Sequence, residues 1–336
     1  MSVMKRELGK SGIEVSALGL GCWAIGGPFF LNGLPDGWGD VDDAESIRAI
    51  HRAMDLGVNF FDTADVYGAG RSERVLGQAL KGRRDQAVIA TKFGFVFDET
   101  TREAGGTNLT PSYIRQACEA SLRRLQTDYI DLYQCHVGDV SEEQASEVWA
   151  ILDRLVEEGK IRAYGLSTWD VAYARAFLAN SRGVAIQHGA NVLQDAPELF
   201  DLGKEFGLAN IINSPLAMGI LSGKFHRDSR LPADDVRGNP HAWLAYFRDG
   251  KPVPEFLDRL DAVREVLRSD GRSLVQGALA WLWARSPQAI PIPGFKTLAQ
   301  VEENCAAMQF GPLNQSQMDE IDRLLKEMEE LRSRGA

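Results

Sequence analysis

The chain of 336 residues has 37 basic and 47 acidic side chains, which gives a formal net charge of −10, and 44% of its residues are hydrophobic. This composition is typical of a globular protein with a packed core, and it excludes a disordered, collagen-like or membrane-spanning chain. The acidic balance, with no basic run longer than two residues, disfavours nucleic acid or an anionic membrane as the main partner.

The cysteines and histidines give no sign of a metal site. The four cysteines lie far apart without a C-x-x-C pattern, and the histidines show neither H-x-H nor H-E-x-x-H spacing. We therefore expect reduced thiols and no bound metal. The N-terminal residues lack the apolar segment of a signal peptide, and no apolar run could span a bilayer, so we expect a cytoplasmic protein.

Short apolar runs alternate with longer amphipathic segments, which predicts strands separated by helices. A β-hairpin is expected first, over residues 5–15, with its turn at Gly9-Lys10-Ser11-Gly12. Eight strands are then expected in chain order, at residues 17–21, 59–62, 87–91, 129–135, 161–166, 184–187, 209–212 and 289–292. An amphipathic terminal helix is expected from about residue 315 to 331, packed on the outside.

Strict alternation of eight strands with helices predicts an α/β protein whose parallel sheet closes into a (β/α)8 TIM barrel. The segment after Thr110 and Pro111 is a typical helix start, with threonine as the N-cap and proline at the first helical position. No Pro-rich linker or change in composition divides the chain. We therefore predict a single barrel domain over residues 1–336, with an N-terminal hairpin and an extra C-terminal helix.

Two connections that follow strands, residues 22–42 and 214–254, are far longer than an ordinary βα loop. In a barrel such loops lie on the C-terminal face, where active sites are built. Their aromatic residues are expected either to form a pocket wall or to pack the loops on the barrel. These are Trp23, Phe29, Phe30, Trp38, Phe225, Trp243, Tyr246 and Phe247.

Ionisable side chains stand at the ends of three consecutive predicted strands: Asp62, Lys92 and His136, with Tyr67 in the loop after Asp62. Any one of them has an ordinary structural explanation, but strand ends of a barrel meet at one rim, so together they predict a site. They suit proton transfer at a carbonyl or alcohol, since the Lys92 ammonium is expected to lower the pKa of Tyr67. Asp62 would orient Lys92, and His136 would donate a hydrogen bond to the reacting oxygen.

The run from Phe60 to Gly68, FFDTADVYG, followed by Gly70-Arg71-Ser72-Glu73, resembles the first signature of the aldo-keto reductases. The resemblance continues in order through LGLG at residue 18, TKFG at 91, DYIDLY at 128, GKIR at 159, GLS at 165, SPL at 214 and IPG at 292. It points to the bacterial and potassium-channel-β-like branch. It implies a (β/α)8 barrel, a catalytic tetrad of Asp62, Tyr67, Lys92 and His136, and a nicotinamide dinucleotide, usually NADPH.

Two segments could be considered as the cofactor site, and the second fits better than the first. Residues 19–24 fit the dinucleotide fingerprint G-x-G-x-x-A, but Gly26-Gly27-Pro28 would break the helix that the fingerprint requires. Near the last strand, Gly294 opens onto a helix capped by Thr297, with Lys296 beside it. A helix N-terminus with an adjacent lysine suits a phosphate group.

The resemblance assigns further cofactor contacts. It implies that Lys296 and Thr297 hold the 2′-phosphate, and that Ser167 and Gln187 bind the carboxamide. The full implied set is Gly21, Trp23, Asp62, Ser167, Gln187, Asn213, Ser214, Leu216, Gly219, Lys224, Gly294, Lys296, Thr297, Gln300, Glu303 and Asn304. Asn213 departs from the family, since many members have a ring there that stacks on the nicotinamide.

The resulting prediction is an NADP(H)-dependent oxidoreductase that transfers hydride between the nicotinamide and an aldehyde, a ketone or the corresponding alcohol, with Tyr67 as proton donor. Two alternatives stay open. One is a physiological dehydrogenase of a sugar, polyol or pyridoxal-like alcohol, and the other is a cofactor-sensing subunit that acts through a protein partner. Neither the natural substrate nor the oligomeric state follows from the sequence.

Overall fold

Parallel strands form the centre of the structure, a computed structural model that describes residues 3–138, 141–179 and 181–335. The strands are β1 (Lys5–Glu7), β2 (Glu14–Ser16), β3 (Gly19–Gly21), β4 (Phe30–Leu31), β5 (Leu34–Pro35), β6 (Phe60–Asp62), β7 (Val88–Phe93), β8 (Phe95–Phe97), β9 (Glu103–Thr107), β10 (Ile130–Cys135), β11 (Ile161–Ser167), β12 (Ala185–Gly189), β13 (Ala209–Asn213), β14 (Phe247–Arg248), β15 (Lys251–Pro252) and β16 (Ala289–Pro291).

The helices alternate with the central strands, as the sequence pattern predicts. They are α1 (Asp43–Asp55), α2 (Arg71–Ala79), α3 (Pro111–Leu125), α4 (Glu142–Glu157), α5 (Val171–Ala179), α6 (Pro197–Phe206), α7 (Pro254–Leu267), α8 (Leu274–Arg285), α9 (Leu298–Ala306) and α10 (Gln315–Gly335). Within the described residues, none of these helices has the combined length and apolar character needed to cross a membrane.

The central sheet has eight strands in the order β3-β6-β7-β10-β11-β12-β13-β16. It closes on itself because the Gly21 amide donates to the Pro293 carbonyl at 3.0 Å and Gly21 forms a parallel bridge with Gly294. A Cβ at Gly21 would lie 2.8 Å from the Ile292 carbonyl oxygen, so glycine is needed for this close approach. The predicted (β/α)8 barrel is thereby confirmed.

The N-terminal hairpin, β1 with β2, plugs the bottom of the barrel. Leu8, Ile13 and Val15 pack in the same buried cluster as interior residues such as Leu132 and Ile290. At the other end of the chain, α10 packs along α7 and α8, and its Ile321 is fully buried. Both additions to the barrel therefore lie where the sequence pattern predicts them.

The rim holds more structure than the sequence indicates. The first long loop carries the β4–β5 hairpin and the second carries the β14–β15 hairpin. A further hairpin, β8–β9, which the sequence analysis missed, follows β7 and pairs through β9 with β4. Thr110 is the N-cap residue of α3 as predicted, but its hydroxyl donates to Asn108 Oδ1 at 2.8 Å and makes no cap bond.

Candidate active site

A cavity of about 670 Å³ opens at the C-terminal ends of the barrel strands. This volume is typical of small-molecule sites. Both long loops and the β8–β9 hairpin contribute to its walls, whose aromatic residues include Trp23, Phe29, Trp38, Tyr67, Phe95, Trp169 and Trp243. Of the loop aromatics considered in the sequence, Tyr246 and Phe247 instead pack in the core and Phe30 is exposed.

Lys92 lies beneath this cavity, and its ammonium contacts three neighbouring residues. Its Nζ atom donates to Asp62 Oδ1 at 2.6 Å and to the Thr63 carbonyl at 2.8 Å. It also lies 3.4 Å from the Tyr67 hydroxyl. Lys92 itself is completely buried, whereas Asp62 and Tyr67, which contact it, line the cavity.

The protonation of this group differs from the expectation in one respect. Burial works to lower the pKa of Lys92, but Asp62 and Tyr67 together raise it above its usual value, so the side chain stays charged. Burial raises the pKa of Tyr67, and Lys92 only partly offsets it. Lys92 therefore acts on the Tyr67 pKa in the expected direction, but the net pKa is raised because desolvation of the phenolate outweighs its attraction to one ammonium.

Asp62 is held from its other side by two amides. Its Oδ2 atom accepts hydrogen bonds from Gln187 Nε2 at 2.7 Å and from Gln134 Nε2 at 3.1 Å. Gln187 is one of the predicted carboxamide contacts, and in the structure its amide nitrogen is engaged with the carboxylate. Gln134 was missed, although its position two residues before His136 on β10 fixes it against Lys92 of β7 in register.

His136 completes the set. Its ring contacts Tyr67 edge-on with centroids 5.9 Å apart and Phe95 at 5.3 Å. Burial, together with the nearby Lys92 charge, holds the pKa of His136 well below its usual value, so the imidazole is neutral. Its Nδ1 atom is buried and has no hydrogen-bond partner in the described part of the chain. A neutral ring of this kind can donate from one nitrogen only.

The other predicted residues meet in the same cavity with one exception. The cavity lining includes Gly21, Trp23, Ser167, Gln187, Asn213, Ser214, Leu216, Gly219, Lys224, Gly294, Lys296, Gln300, Glu303 and Asn304. Thr297 is not among them. Its hydroxyl accepts from the Gln300 backbone amide at 3.3 Å as the cap of α9, and its expected phosphate contact stays a prediction.

The N-terminus of α9 already has acceptors. The Leu298 amide donates to Glu45 Oε1 at 3.0 Å, and the Lys296 amide donates to Gln300 Oε1 at 2.7 Å. The carboxylate of Glu45, from α1, thus occupies a position that an anionic ligand would otherwise use. This helix end is therefore not free in the structure, and the phosphate contact expected there stays a prediction, with the Lys296 side chain nearby.

Basic side chains do gather at this end of the cavity. Lys224, Lys296 and Arg237, the last missed in the sequence, all line it. Burial, with the charges of Arg237 and Lys296, lowers the pKa of Lys224. Arg237 is fixed by Asp235, whose carboxylate accepts at 2.6 and 2.8 Å, and lies 4.5 Å from the Trp38 ring. An anion would suit this cluster.

The loop after β13 is strained where it faces the cavity. Ser214, Ala217 and Met218 have φ near +50° and Gly219 has φ of +100°. Such conformations are costly for residues with a Cβ, and they gather at ligand sites. The segment that carries the expected cofactor contacts Ser214 and Gly219 therefore shows the local strain that is typical of a binding segment.

The family model for the aldo/keto reductases matches residues 17–326, which is nearly the whole chain. The chain belongs to the aldo/keto reductase family. Among its relatives, the NADH-specific methylglyoxal reductase of Escherichia coli (strain K12) is 34% identical over 338 residues, covering 97% of this chain and 98% of that protein. The family is therefore established over nearly the whole chain, and with it an oxidoreductase that uses a nicotinamide cofactor.

Solved structures of other aldo/keto reductases agree with the fold. The glycerol dehydrogenase of Gluconobacter oxydans superimposes with a TM-score of 0.81 at 28% identity, covering 97% of this chain and 96% of that one. An aldo/keto reductase from Klebsiella pneumoniae in complex with NADP and acetate gives a TM-score of 0.69 at 26% identity, with 96% of each chain covered.

The cavity of this aldo/keto reductase fits a nicotinamide dinucleotide. Two buried polar atoms that line it, Asn213 Oδ1 and Asn304 Nδ2, have no partner among the described residues. One can accept from a carboxamide and the other can donate to a base, so both ends of a dinucleotide would satisfy groups that the protein leaves unpaired. Within the described ranges, no cluster of three or more His, Cys, Asp or Glu side chains could hold a metal ion.

Proposed function

We propose that the protein is an NADP(H)-dependent aldo-keto reductase acting on an aldehyde or ketone, or on the corresponding alcohol. The observation that carries this proposal is the placement of Lys92 Nζ between Asp62 Oδ1, at 2.6 Å, and the Tyr67 hydroxyl, at 3.4 Å, beside a neutral His136. A proton donor, a fixed cation and a neutral hydrogen-bond donor at one cavity are what carbonyl reduction requires.

The nicotinamide, when bound, would give hydride to the carbonyl carbon or take it from the alcohol carbon. Tyr67 would donate its phenolic proton to the carbonyl oxygen, and it is available for this because its raised pKa keeps it protonated at neutral pH. Lys92 would stabilise the phenolate that remains. His136 would donate a hydrogen bond to the same oxygen, and Asp62 would keep Lys92 in place.

Two sets of residues are proposed to contact the two ends of the cofactor, and further residues line the cavity around it. Ser167, Gln187 and Asn213 would contact the carboxamide, whereas Gln300, Glu303 and Asn304 would surround the adenosine. Gly21, Trp23, Asp62, Ser214, Leu216, Gly219, Lys224, Gly294 and Lys296 line the cavity between and around them.

NADPH is the proposed form of the cofactor. Basic residues favour its additional phosphate, whereas one acidic residue opposes it. Lys224, Arg237 and Lys296 favour an additional phosphate because all three line the cavity. Glu45 opposes it, since its carboxylate lies at the Leu298 amide. Relatives of both kinds exist, an NADH-specific reductase and a structure with NADP. The basic cluster supports the phosphorylated form here.

The decisive test is Tyr67→Phe, which removes the proton donor and keeps the ring. We expect turnover to fall by about 10²-fold or more, the usual contribution of general acid catalysis, with cofactor affinity unchanged in a fluorescence titration. Tyr129→Phe is the matched control, since Tyr129 lies outside the cavity lining. Unchanged turnover in Tyr67→Phe would contradict the proposed function.

Oxidation of a polyol is the second candidate, supported by the similarity to the Gluconobacter glycerol dehydrogenase. The same groups serve both directions, so forward and reverse rates with one substrate pair distinguish them. A cofactor-sensing subunit would bind NADPH but oxidise it slowly with every aldehyde offered. We further propose one domain over residues 1–336 and a reducing, cytoplasmic location, which the four buried, unpaired thiols support.

A further inference from the structure

Asp36 places a carboxyl group in the aromatic wall of the cavity. It follows β5, lines the cavity and is only 7% exposed. Its Oδ1 atom is buried and receives no hydrogen bond from the described residues. Its backbone is fixed, because its amide donates to the Phe29 carbonyl at 2.9 Å and its carbonyl accepts from Trp23 Nε1 at 3.0 Å. A buried oxygen without a hydrogen-bond partner is costly, and a donor on a ligand in the cavity would satisfy it.

One indole connects this carboxyl group with the proposed proton donor. Trp23, which donates to the Asp36 carbonyl, stacks on the Tyr67 ring with centroids 5.9 Å apart and an angle of 24°. Asp36 is also close enough to add to the effect of burial in raising the pKa of Tyr67. A small molecule with its reacting oxygen at Tyr67 therefore has Asp36 within the same cavity.

A histidine of the second long loop lies beside the carboxyl group without bonding to it. His241 Nε2 donates to the Pro35 carbonyl at 2.8 Å and lies 3.6 Å from Asp36 Oδ1. The His241 ring packs against Trp243 at 5.2 Å, and Trp243 faces Trp23 at 5.9 Å. Since Nε2 is used by a backbone carbonyl, the carboxyl group keeps acceptor capacity for a ligand.

A hydroxyl group matches this position. A carboxyl accepts a hydrogen bond from a hydroxyl and, when protonated, also donates one. Burial raises the pKa of Asp36 to about 8, so the neutral acid predominates at neutral pH and a neutral partner fits better than an amine. The surrounding indoles would cover the carbon chain.

We propose that Asp36, given the reductase function proposed above, is a specificity residue that binds a substrate hydroxyl, so that hydroxyaldehydes and the matching polyols are preferred over unsubstituted analogues. A site built to hydrogen-bond a hydroxyl discriminates against a molecule that lacks it, because the buried polar group is then left unpaired.

The test compares kcat/KM for glyceraldehyde and for propionaldehyde, which lacks both hydroxyls, in the wild type, Asp36→Ala, Asp36→Asn and Asp40→Ala. We expect the wild type to prefer glyceraldehyde and the preference to fall about tenfold in Asp36→Ala, the value of one such hydrogen bond. Asp36→Asn should keep most of the preference. Asp40→Ala, an exposed carboxylate of the same loop, should leave it unchanged. Hydration of the aldehydes lowers the free concentration of each substrate by the same factor for every variant, so it does not affect the change in the kcat/KM ratio between variants.

The outcomes separate the two proposals. Turnover of neither aldehyde by the wild type would overturn the reductase function, whereas turnover of both with the same ratio in Asp36→Ala would overturn the role of Asp36 alone. A wild-type preference for propionaldehyde would also overturn it. Inhibition of the wild type by glycerol and by 1-propanol provides a measurement that does not depend on the folding of a variant: we expect glycerol to inhibit at lower concentration, and the reverse order contradicts the proposal.

Discussion

The ammonium of Lys92 lies 2.6 Å from the carboxylate of Asp62, and the two side chains are 0% and 3% exposed. A buried ion pair contributes little net stability compared with apolar residues, but removal of one partner leaves an uncompensated charge. Without the Lys92 ammonium, Asp62 would retain only the amide donors Gln134 and Gln187, which do not neutralise its charge. The pair thus couples the stability of the barrel to the proposed chemistry.

Lys92→Met should accordingly reduce the free energy of unfolding by about 3–5 kcal/mol, as is usual for a broken buried pair. The double variant Asp62→Asn with Lys92→Met should recover part of this loss, because it removes both charges. Urea unfolding monitored by circular dichroism measures each value, with Lys81→Met, which changes an exposed lysine, as control. A Lys92→Met protein as stable as the wild type would refute the pairing.

The rate of reduction should be insensitive to pH around neutrality. The pKa of His136 lies well below its usual value through burial and the Lys92 charge, so it does not gain a proton near pH 6.5. The pKa of Tyr67 is raised, so the donor stays protonated until the solution is alkaline. We expect kcat for propionaldehyde to be level from about pH 6.5 to 9, since ordinary values for these groups bracket that range.

Above that range the rate of reduction should fall as Tyr67 ionises, while oxidation of the alcohol, which needs the phenolate, should rise. Steady-state rates across the range, with saturating cofactor and substrate, give both profiles. A loss of reduction on the acid side centred near pH 6.5 would show that His136 titrates normally and would contradict the burial argument.

The barrel and the clustering of Asp62, Lys92 and His136 could be predicted because they follow from local patterns and one rule. Apolar runs identify the strands, and the ends of parallel strands in a barrel meet at one rim. The β8–β9 hairpin could not be predicted in the same way. Its strand β9 contains Gly105 and Gly106 and is stabilised by pairing with the distant β4, which no local pattern reveals.

Residues whose place depends on loop folding were missed. Asp36 and Arg237 stand in segments without periodicity, and only the packing of the two long loops brings them to the cavity. The net rise in the Tyr67 pKa was not predicted because the sequence shows that an ammonium is near but not how completely the hydroxyl is buried.

Cofactor preference should respond to Lys296 and Glu45 in opposite directions. Lys296 Nζ donates only to the Trp38 carbonyl, at 2.9 Å, in the described structure, so it can turn to a phosphate. Lys296→Ala should weaken NADPH binding about tenfold, as expected for a hydrogen bond to a charged group, and NADH binding much less. Glu45→Gln removes the carboxylate at the Leu298 amide and should favour NADPH.

Dissociation constants for both cofactors, measured by quenching of protein fluorescence, test this prediction. Lys10→Ala, in the turn of the N-terminal hairpin at the other end of the barrel, is the control for a simple loss of positive charge. Equal changes for NADPH and NADH in Lys296→Ala would remove the case for NADP preference.

The raised pKa of Asp36 makes stability depend on pH in a definite direction. Burial raises this pKa to about 8, whereas an unfolded aspartate titrates near 3.9. The folded state therefore holds the proton more tightly. The stability that this gives is complete below about pH 4 and is lost as the pH rises towards about 8.

Asp36→Asn cannot ionise, so its free energy of unfolding relative to the wild type should increase with pH between these limits. The slope should be at most about 1.4 kcal/mol per pH unit, the value for one proton. Urea unfolding at pH 5, 7 and 9 measures it. Asp65, whose pKa is also raised by burial, is present in both proteins and cancels. A difference that is the same at pH 5 and pH 9 would contradict the burial of the Asp36 carboxyl group beside His241.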